Sequence, residues 1–231
     1  MKTNTLVIAL VSLLFSTYAF SACVDNVVLI HGNSGSPSDW NNTYNKLISK
    51  GYSSSQIYRP SWGSSSCLGV CNNHSGSEET PVRNAINSAI SSSCTGKIDV
   101  IGHSMGVTLG AQQIIKAGKV SKVDSFVGVA GAYRGLLSCG VYPFNVANTT
   151  CGSQGLSVSS PFLNWLYGKK IATRTYSIKS WIDQIVCGTG TCYVYGKHSS
   201  QIQGENASYS YSYGHMGLQS STATKQYDLI K

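Results

Sequence analysis

Ser104 sits in Gly102-His103-Ser104-Met105-Gly106, between a short apolar run, Lys97 to Ile101, and a small-residue segment with helical rhythm, Val107 to Ala117. A serine between glycines at a strand-to-helix turn is pushed out above a sheet edge, because the turn is too sharp for side chains at its flanks. Such a hydroxyl is placed to act as a nucleophile. In a chain this rich in Gly and Ser the pentapeptide alone is a weak signal; its position between a buried strand and a helix carries the weight.

An activated serine needs a base, and the base needs a carboxylate to orient it. In this arrangement the chain order is serine, acid, histidine. Asp124, Asp183 and Glu205 lie between Ser104 and His215. Asp124 begins a strand and falls at the wrong end of a parallel sheet. Glu205 is in a Gly/Asn-rich turn only ten residues before His215. Asp183 follows the apolar run Arg174 to Ile178 at the productive end, and is the chosen acid. His215, on a glycine-flanked loop before a final helix, is the chosen base over His198, which reads as an exposed loop residue. Of the other histidines, His31 braces a turn, His74 reads as solvated, and His103 flanks the nucleophile without a catalytic role.

The tetrahedral intermediate of an acyl transfer needs two backbone N–H donors. Met105, directly after the nucleophile, supplies one. Asn33, in the glycine-rich turn His31-Gly32-Asn33-Ser34-Gly35, supplies the other.

These groups need a scaffold that brings several loops to one edge. Asn26 to Ile30, Lys97 to Ile101 and Val123 to Ala130 are continuous apolar runs rich in β-branched residues, as expected of strands buried on both faces. Gln56 to Arg59 and Arg174 to Ile178 read as further strands, and Ser199 to Gln203 as the last. Between them lie helical segments. One runs from a Ser36 cap and Pro37 to a stop at Gly51, and another from Thr80 and Pro81 through Ser93. A third comes after the elbow, with Gly106 and Gly110 a turn apart so that it lies close on the sheet, and a closing helix comes after Ser220. Residues 61–77 read as a surface loop and 131–168 as irregular. The alternation predicts an α/β fold: a mostly parallel sheet of about six strands with helices on both faces, in one domain over 23–231. Reactive groups then gather beyond the carboxyl ends of the strands.

The first 22 residues read as a secretory signal peptide: Lys2, an apolar core from Leu6 to Phe15, and small residues before a cleavage point after Ser21 or Ala22. All eight cysteines lie beyond it. An even number in an exported chain points to disulfides, and proximity suggests Cys67–Cys71, Cys139–Cys151 and Cys187–Cys192. Cys23 and Cys94 each precede a strand and meet at one end of the sheet if those strands are parallel neighbours. Two rival readings are a lipoprotein-type cleavage with Cys23 lipidated, and a loose finger-like metal set of Cys67, Cys71 and His74. The net charge of +8 comes from scattered basic residues without interleaved aromatics, so nucleic acid is not an expected partner. No stretch reaches the length of a membrane span.

Four segments together resemble a known family. Val27-Val-Leu-Ile-His-Gly-Asn33, Lys97-Ile-Asp-Val-Ile-Gly-His-Ser-Met-Gly106, Ser180-x-x-Asp183-x-Ile-Val186 and Gly214-His-Met-Gly-Leu218 are similar to the class 2 bacterial lipases. These are small secreted α/β-hydrolases of the Bacillus subtilis minimal type. The resemblance runs from about residue 26 to the C-terminus. It implies the α/β-hydrolase fold and carboxylic ester hydrolysis through an acyl-enzyme. It also implies Ser104, Asp183 and His215 as triad, the Asn33 and Met105 amides as oxyanion hole, and neither cofactor nor metal. The expected protein is a secreted monomer acting on a lipid or other ester, at a lipid–water interface or in solution. The same triad would also serve an acyltransferase, a thioesterase or a polyester depolymerase, and a hydrolase-fold binding protein would have lost it. The eight cysteines and the longer segments at 61–77 and 134–170 depart from the family, and these additions could cover the site.

Overall fold

The structure, a computed structural model, describes residues 23–66 and 68–231. The expected signal peptide and the Cys67 half of the expected Cys67–Cys71 pair lie outside the described residues. Along the described residues, eleven strands and six α-helices run in this order: β1 (Asn26–Ile30), α1 (Asn41–Ser49), β2 (Ile57–Tyr58), α2 (Glu79–Ser92), β3 (Ile98–His103), α3 (Met105–Lys116), β4 (Val123–Val129), β5 (Leu136–Val141), β6 (Phe144–Asn145), β7 (Ser157–Val158), α4 (Pro161–Leu166), β8 (Arg174–Lys179), β9 (Tyr193–Val194), β10 (Lys197–His198), β11 (Ala207–Ser210), α5 (His215–Ser221) and α6 (Ala223–Ile230).

The main sheet has six strands in the order β11-β8-β4-β3-β1-β2, each paired parallel to its neighbours. Its core strands are buried on both sides, which is why Val27 to Ile30, Val100-Ile101 and Phe126 to Val129 read as apolar stretches rather than alternating ones, with Asn26, Asp99 and Ser125 as buried polar exceptions. On one side Val28, Ile30, Val100 and Phe126 pack with α2 and α3; on the other Val27, Leu29, Ile101 and Val127 pack with α1, α5 and α6. The chain starts in β1, steps outward to β2, then returns past β1 to β3 and continues to β11. The order therefore reverses between β1 and β3, the kind of switch point beyond which parallel sheets open a crevice.

Register aligns the carboxyl ends. Ile30 lies opposite Gly102, His103 opposite Val129, and Val129 opposite Ile178. The loops after β1, β3, β4 and β8 thus leave the sheet at one level.

Three expectations need correction. The last strand is Ala207–Ser210 rather than Ser199 to Gln203. This edge strand is half-exposed and polar, so nothing in its composition announces it, while Ile202 is buried from a turn. The region after Gly131 is not irregular throughout: β5, β6 and β7 form a small sheet of their own, and α4 comes after it. His74 is fully buried rather than solvated, stacked at 3.9 Å on Phe162, with Nδ1 on the Gln154 carbonyl at 2.9 Å and Nε2 on Thr108 Oγ1 at 2.7 Å. Burial holds its pKa down at about 3, and neither ring nitrogen is left for a metal.

Cys23–Cys94, Cys139–Cys151 and Cys187–Cys192 are disulfide-bonded. The first joins the segments entering β1 and β3 at their amino ends, as parallel neighbours require, and leaves Cys23 no sulfur for a lipid. No helix among the described residues is long and apolar enough to cross a membrane.

Candidate active site

Ser104 stands between β3 and α3 with φ 52° and ψ −127°, a conformation L-residues rarely adopt. The glycines around it are demanded by contact. A Cβ at Gly102 would lie 2.8 Å from the Gly106 carbonyl and the Val107 backbone; one at Gly106 would lie 2.3 Å from the His31 carbonyl oxygen. A Cβ at Gly32 would meet the Ser104 Cβ at 3.0 Å, so the turn after β1 lies directly against Ser104. The Ser104 amide donates to the Val129 carbonyl at 2.9 Å, tying the elbow to the end of β4. The Ser104 backbone is therefore held in closely packed main chain.

Asp183 and His215 are brought together from two other loops. His215 Nδ1 lies 2.9 Å from both Asp183 oxygens, and both side chains are buried. Asp183 Oδ1 also accepts the Ile185 and Val186 amides, each at 2.9 Å. Burial alone would push this carboxyl up. The hydrogen bond and charge of His215, with the two amides, outweigh it and hold Asp183 below the usual carboxylate range. An ionised Asp183 fixes the proton on His215 Nδ1 and leaves Nε2 free to accept another. The Asp183 loop is closed by Cys187–Cys192, and the Cys187 amide donates to the Asp183 carbonyl at 2.8 Å.

Four supporting residues were not identified as such in the sequence. Gln184 Oε1 accepts the His215 amide at 3.0 Å, linking the Asp183 loop to His215. His103 is buried, its ring 4.7 Å from that of His215, and its Nε2–H donates to the His215 carbonyl at 3.2 Å. Burial, reinforced by His215 nearby, drops the His103 pKa to about 3, so it stays neutral and does not compete for the proton. His198, expected to be exposed, is buried: Trp181 packs edge-on to its ring, and its Nε2–H donates to the Ser180 carbonyl at 3.0 Å. Asn72 Nδ2 donates to Asn33 Oδ1 at 2.7 Å, while Asn33 Nδ2 donates to the Gly69 carbonyl at 2.7 Å. Each contact joins residues distant in sequence, so no local pattern marked these four.

The rejected carboxylates lie elsewhere. Asp124 pairs with Arg174 at 2.8 Å and Lys97 at 3.7 Å at the amino ends of the strands. Glu205 accepts from Ser177 Oγ and the Ile202 amide.

Ser104 and His215 open into a cleft of about 440 Å³. Asn33 and Met105 are among its lining residues, with the apolar Leu68, Val70, Leu136, Leu156, Ile185 and Met216 and the polar Ser138, Asn148, Thr150 and Gln184. The long segments at 61–77 and 134–170 thus build the walls of the cleft. Met105 is the first residue of α3, where an amide has no partner within the helix and the helix dipole favours negative charge. A larger cavity of about 560 Å³ is lined by Tyr133, Arg134, Tyr167 and Tyr195 among others. Among the described residues that line it, neither a histidine nor a carboxylate stands beside its one serine, Ser159.

The sequence matches the family described as Lipase (class 2) over residues 25–228. No curated protein matches it significantly. Among solved structures, the mature form of Bacillus licheniformis lipase BlEst2 is similar at 11% identity and TM-score 0.63, over 91% of this chain and 93% of that one. A structure from the metagenome-derived lipolytic enzymes LipS and LipT is similar at 14% identity and TM-score 0.57, over 88% and 92%. Aspergillus fumigatus lipase B is similar at 16% identity and TM-score 0.56, over 86% of this chain and 46% of that one. This chain therefore spans less than half the length of the Aspergillus enzyme. At these identities the likeness is one of fold, the α/β-hydrolase fold that the family resemblance implies.

Proposed function

This chain belongs to the class 2 lipase family, and from that premise we propose that it hydrolyses carboxylic esters with Ser104 as nucleophile, His215 as general base and Asp183 as orienting acid. The observation that carries the reading is the His215 Nδ1 contact at 2.9 Å to both Asp183 oxygens, in a cleft shared with a strained, glycine-flanked serine.

His215 Nε2 takes the Ser104 proton as Oγ attacks the ester carbonyl, and the Asn33 and Met105 amides stabilise the oxyanion. The imidazolium that forms beside ionised Asp183 passes its proton to the departing alcohol, leaving an acyl-enzyme. Water, deprotonated by the same nitrogen, attacks the acyl carbonyl; collapse returns the proton to Ser104 and frees the acid. The apolar walls suit an aliphatic acyl chain, and this supports a lipid ester as substrate.

Residues 1–22 serve as an export signal on this reading, and 23–231 fold as a single secreted catalytic domain. The disulfides support it, since such bonds persist in oxidising compartments. The test is hydrolysis of p-nitrophenyl esters of increasing acyl length by the parent and Ser104→Ala proteins. The variant is expected to lose at least about 1,000-fold in kcat. Turnover by Ser104→Ala at the parent rate would refute the assignment.

A further inference from the structure

The cavity of about 560 Å³ takes no part in the hydrolysis proposed above, and it shares no lining residue with the Ser104 cleft. It lies past the carboxyl end of β4, where the Tyr133-Arg134 segment meets the stretch from β7 into α4, the β9–β10 hairpin and Gln203. Its two charged lining residues, Arg134 and Lys197, are both cations, and neither forms an ion pair among the described residues. Arg134 is fixed at two points: its amide donates to the Ser199 carbonyl at 3.0 Å, and Nε donates to the Gln201 carbonyl at 2.9 Å. That leaves its two terminal nitrogens for a ligand. Lys169, over the Trp165 ring at 5.1 Å, adds positive charge just past Tyr167. The acid nearest in sequence, Glu205, already accepts from Ser177 Oγ and the Ile202 amide.

Three tyrosine rings line the same cavity: Tyr133, which is buried, and Tyr167 and Tyr195, which are exposed. Tyr195 is held there against its own preference. With Gly196 it forms the two-residue turn between paired Val194 and Lys197, with φ 49° and 72°. Asn, Asp and Gly suit such a pair of left-handed residues, and a bulky side chain does not. Packing does not explain the tyrosine, since it is 76% exposed. Ser159, with φ 60°, is a second left-handed non-glycine residue in the lining, and its Oγ lies 2.8 Å from the Tyr195 hydroxyl. Backbone held in sparsely populated regions and gathered at one cavity is the mark of a ligand clamp.

We propose that this cavity is a second binding site, for a carboxylate carried on a ring, with Arg134 and Lys197 holding the acid group and Tyr167 and Tyr195 flanking the ring. A guanidinium matches a carboxylate through two parallel N–H bonds, and an ammonium adds a point charge. Tyrosine offers a flat apolar face with a polar tip, which suits a ring that carries polar groups. The volume is that of a small-molecule site, in which a few polar groups orient the ligand among apolar walls. A bare inorganic anion would leave the three rings without a role. The ring can come from an aromatic acid or from a sugar acid, and both present the same chemistry to these side chains. The proposal is independent of the role of Ser104.

Isothermal titration calorimetry tests it with cinnamate for the aromatic source and trigalacturonate for the sugar source, each against a neutral counterpart, cinnamyl alcohol and maltotriose. At least one acid is expected to bind about tenfold or more tighter than its counterpart, and to weaken at least about threefold from low to high salt. The acid that binds identifies the source. Arg134→Gln is expected to weaken that binding at least about tenfold. Lys197→Gln, at an exposed position that leaves the fold intact, is expected to weaken it about threefold and serves if the first variant misfolds. Tyr195→Asn separates ligand from fold. Asparagine suits the turn, so the thermal midpoint should hold or rise while affinity falls at least about threefold. None of the three lines the Ser104 cleft, so turnover of p-nitrophenyl acetate should stay within about twofold of the parent. Binding unchanged in both Arg134→Gln and Lys197→Gln would place the acid elsewhere, in the Ser104 cleft for example, and overturn the proposal. So would affinity unchanged in Tyr195→Asn, ring-free acetate binding as tightly as the acids, neutral counterparts binding equally well, or no binding of either acid.

Discussion

Ser104 is held by packed main chain, whereas Asp183 and His215 are held by hydrogen bonds between two loops and by a disulfide. At the elbow, a Cβ added at Gly32, Gly102 or Gly106 would meet backbone or Ser104 at 3.0 Å or less, so no side chain can be added without displacing neighbouring chain. At the acid–base pair the contacts are polar: two amides on Asp183, Gln184 on the His215 amide, His103 on the His215 carbonyl. The difference assigns separate failure modes. The elbow breaks through volume and takes the fold with it, while the acid–base pair breaks through a lost partner and takes the chemistry alone.

The largest expected effect breaks the polar arm. Asp183→Asn retains the shape but no longer fixes the proton on Nδ1, and kcat is expected to fall by about 10,000-fold, the scale for losing the orienting acid of such a triad. Steady-state kinetics should show this with KM and thermal midpoint little changed. The packed arm should respond in the opposite sense. Gly106→Ala forces a Cβ against the His31 carbonyl and is expected to cost about 3 kcal/mol of stability in urea unfolding. Any molecules still folded should turn over near the parent rate. Should Gly106→Ala lose rate but not stability, the elbow is not held as described.

The strands and the elbow were legible because their causes are local. Val27 to Ile30 and Phe126 to Val129 are buried on both faces and carry no polar side chain, and the Ser104 turn needs its glycines at fixed offsets. Asp183 was legible through chain order and its place past a strand's carboxyl end. The features that escaped depended on distant partners. His74 is buried because Phe162 covers it, His198 because Trp181 does, and no spacing in the chain marks either pair. The strand Ala207–Ser210 forms by pairing with β8 while carrying a polar, half-exposed sequence, so neither period nor composition points to it.

Smaller effects sharpen the same contrast. Gln184→Ala removes one hydrogen bond from the base loop, and kcat is expected to fall about tenfold at constant KM. A drop in stability without one in kcat would make Gln184 a structural residue only.

The smallest effect concerns a second buried carboxylate, outside the site. Asp99 lies in β3 with Oδ1 on the Ser125 amide at 2.9 Å and Oδ2 without a partner among the described residues. Burial first, then the nearby charges of Asp25 and Asp124, push its pKa well above the ordinary value, opposite to Asp183. A raised folded-state pKa favours the protonated form in the native state. Its contribution is therefore full at acid pH and is lost as pH rises past the unfolded carboxylate value toward the folded one. Asp99→Asn removes that loss, so its thermal midpoint relative to the parent should rise from about pH 4 to about pH 8, by roughly 1 kcal/mol in stability. A constant difference across that range would show that Asp99 does not titrate as described.

The central claim is that Ser104 alone among the serines is activated. Reaction of the intact protein with a fluorophosphonate probe, with peptide mass spectrometry of the product, tests it most directly. A single adduct on the peptide containing Ser104, absent in Ser104→Ala and strongly slowed in His215→Ala, is the predicted result. No adduct, or an adduct on a different serine, would contradict it.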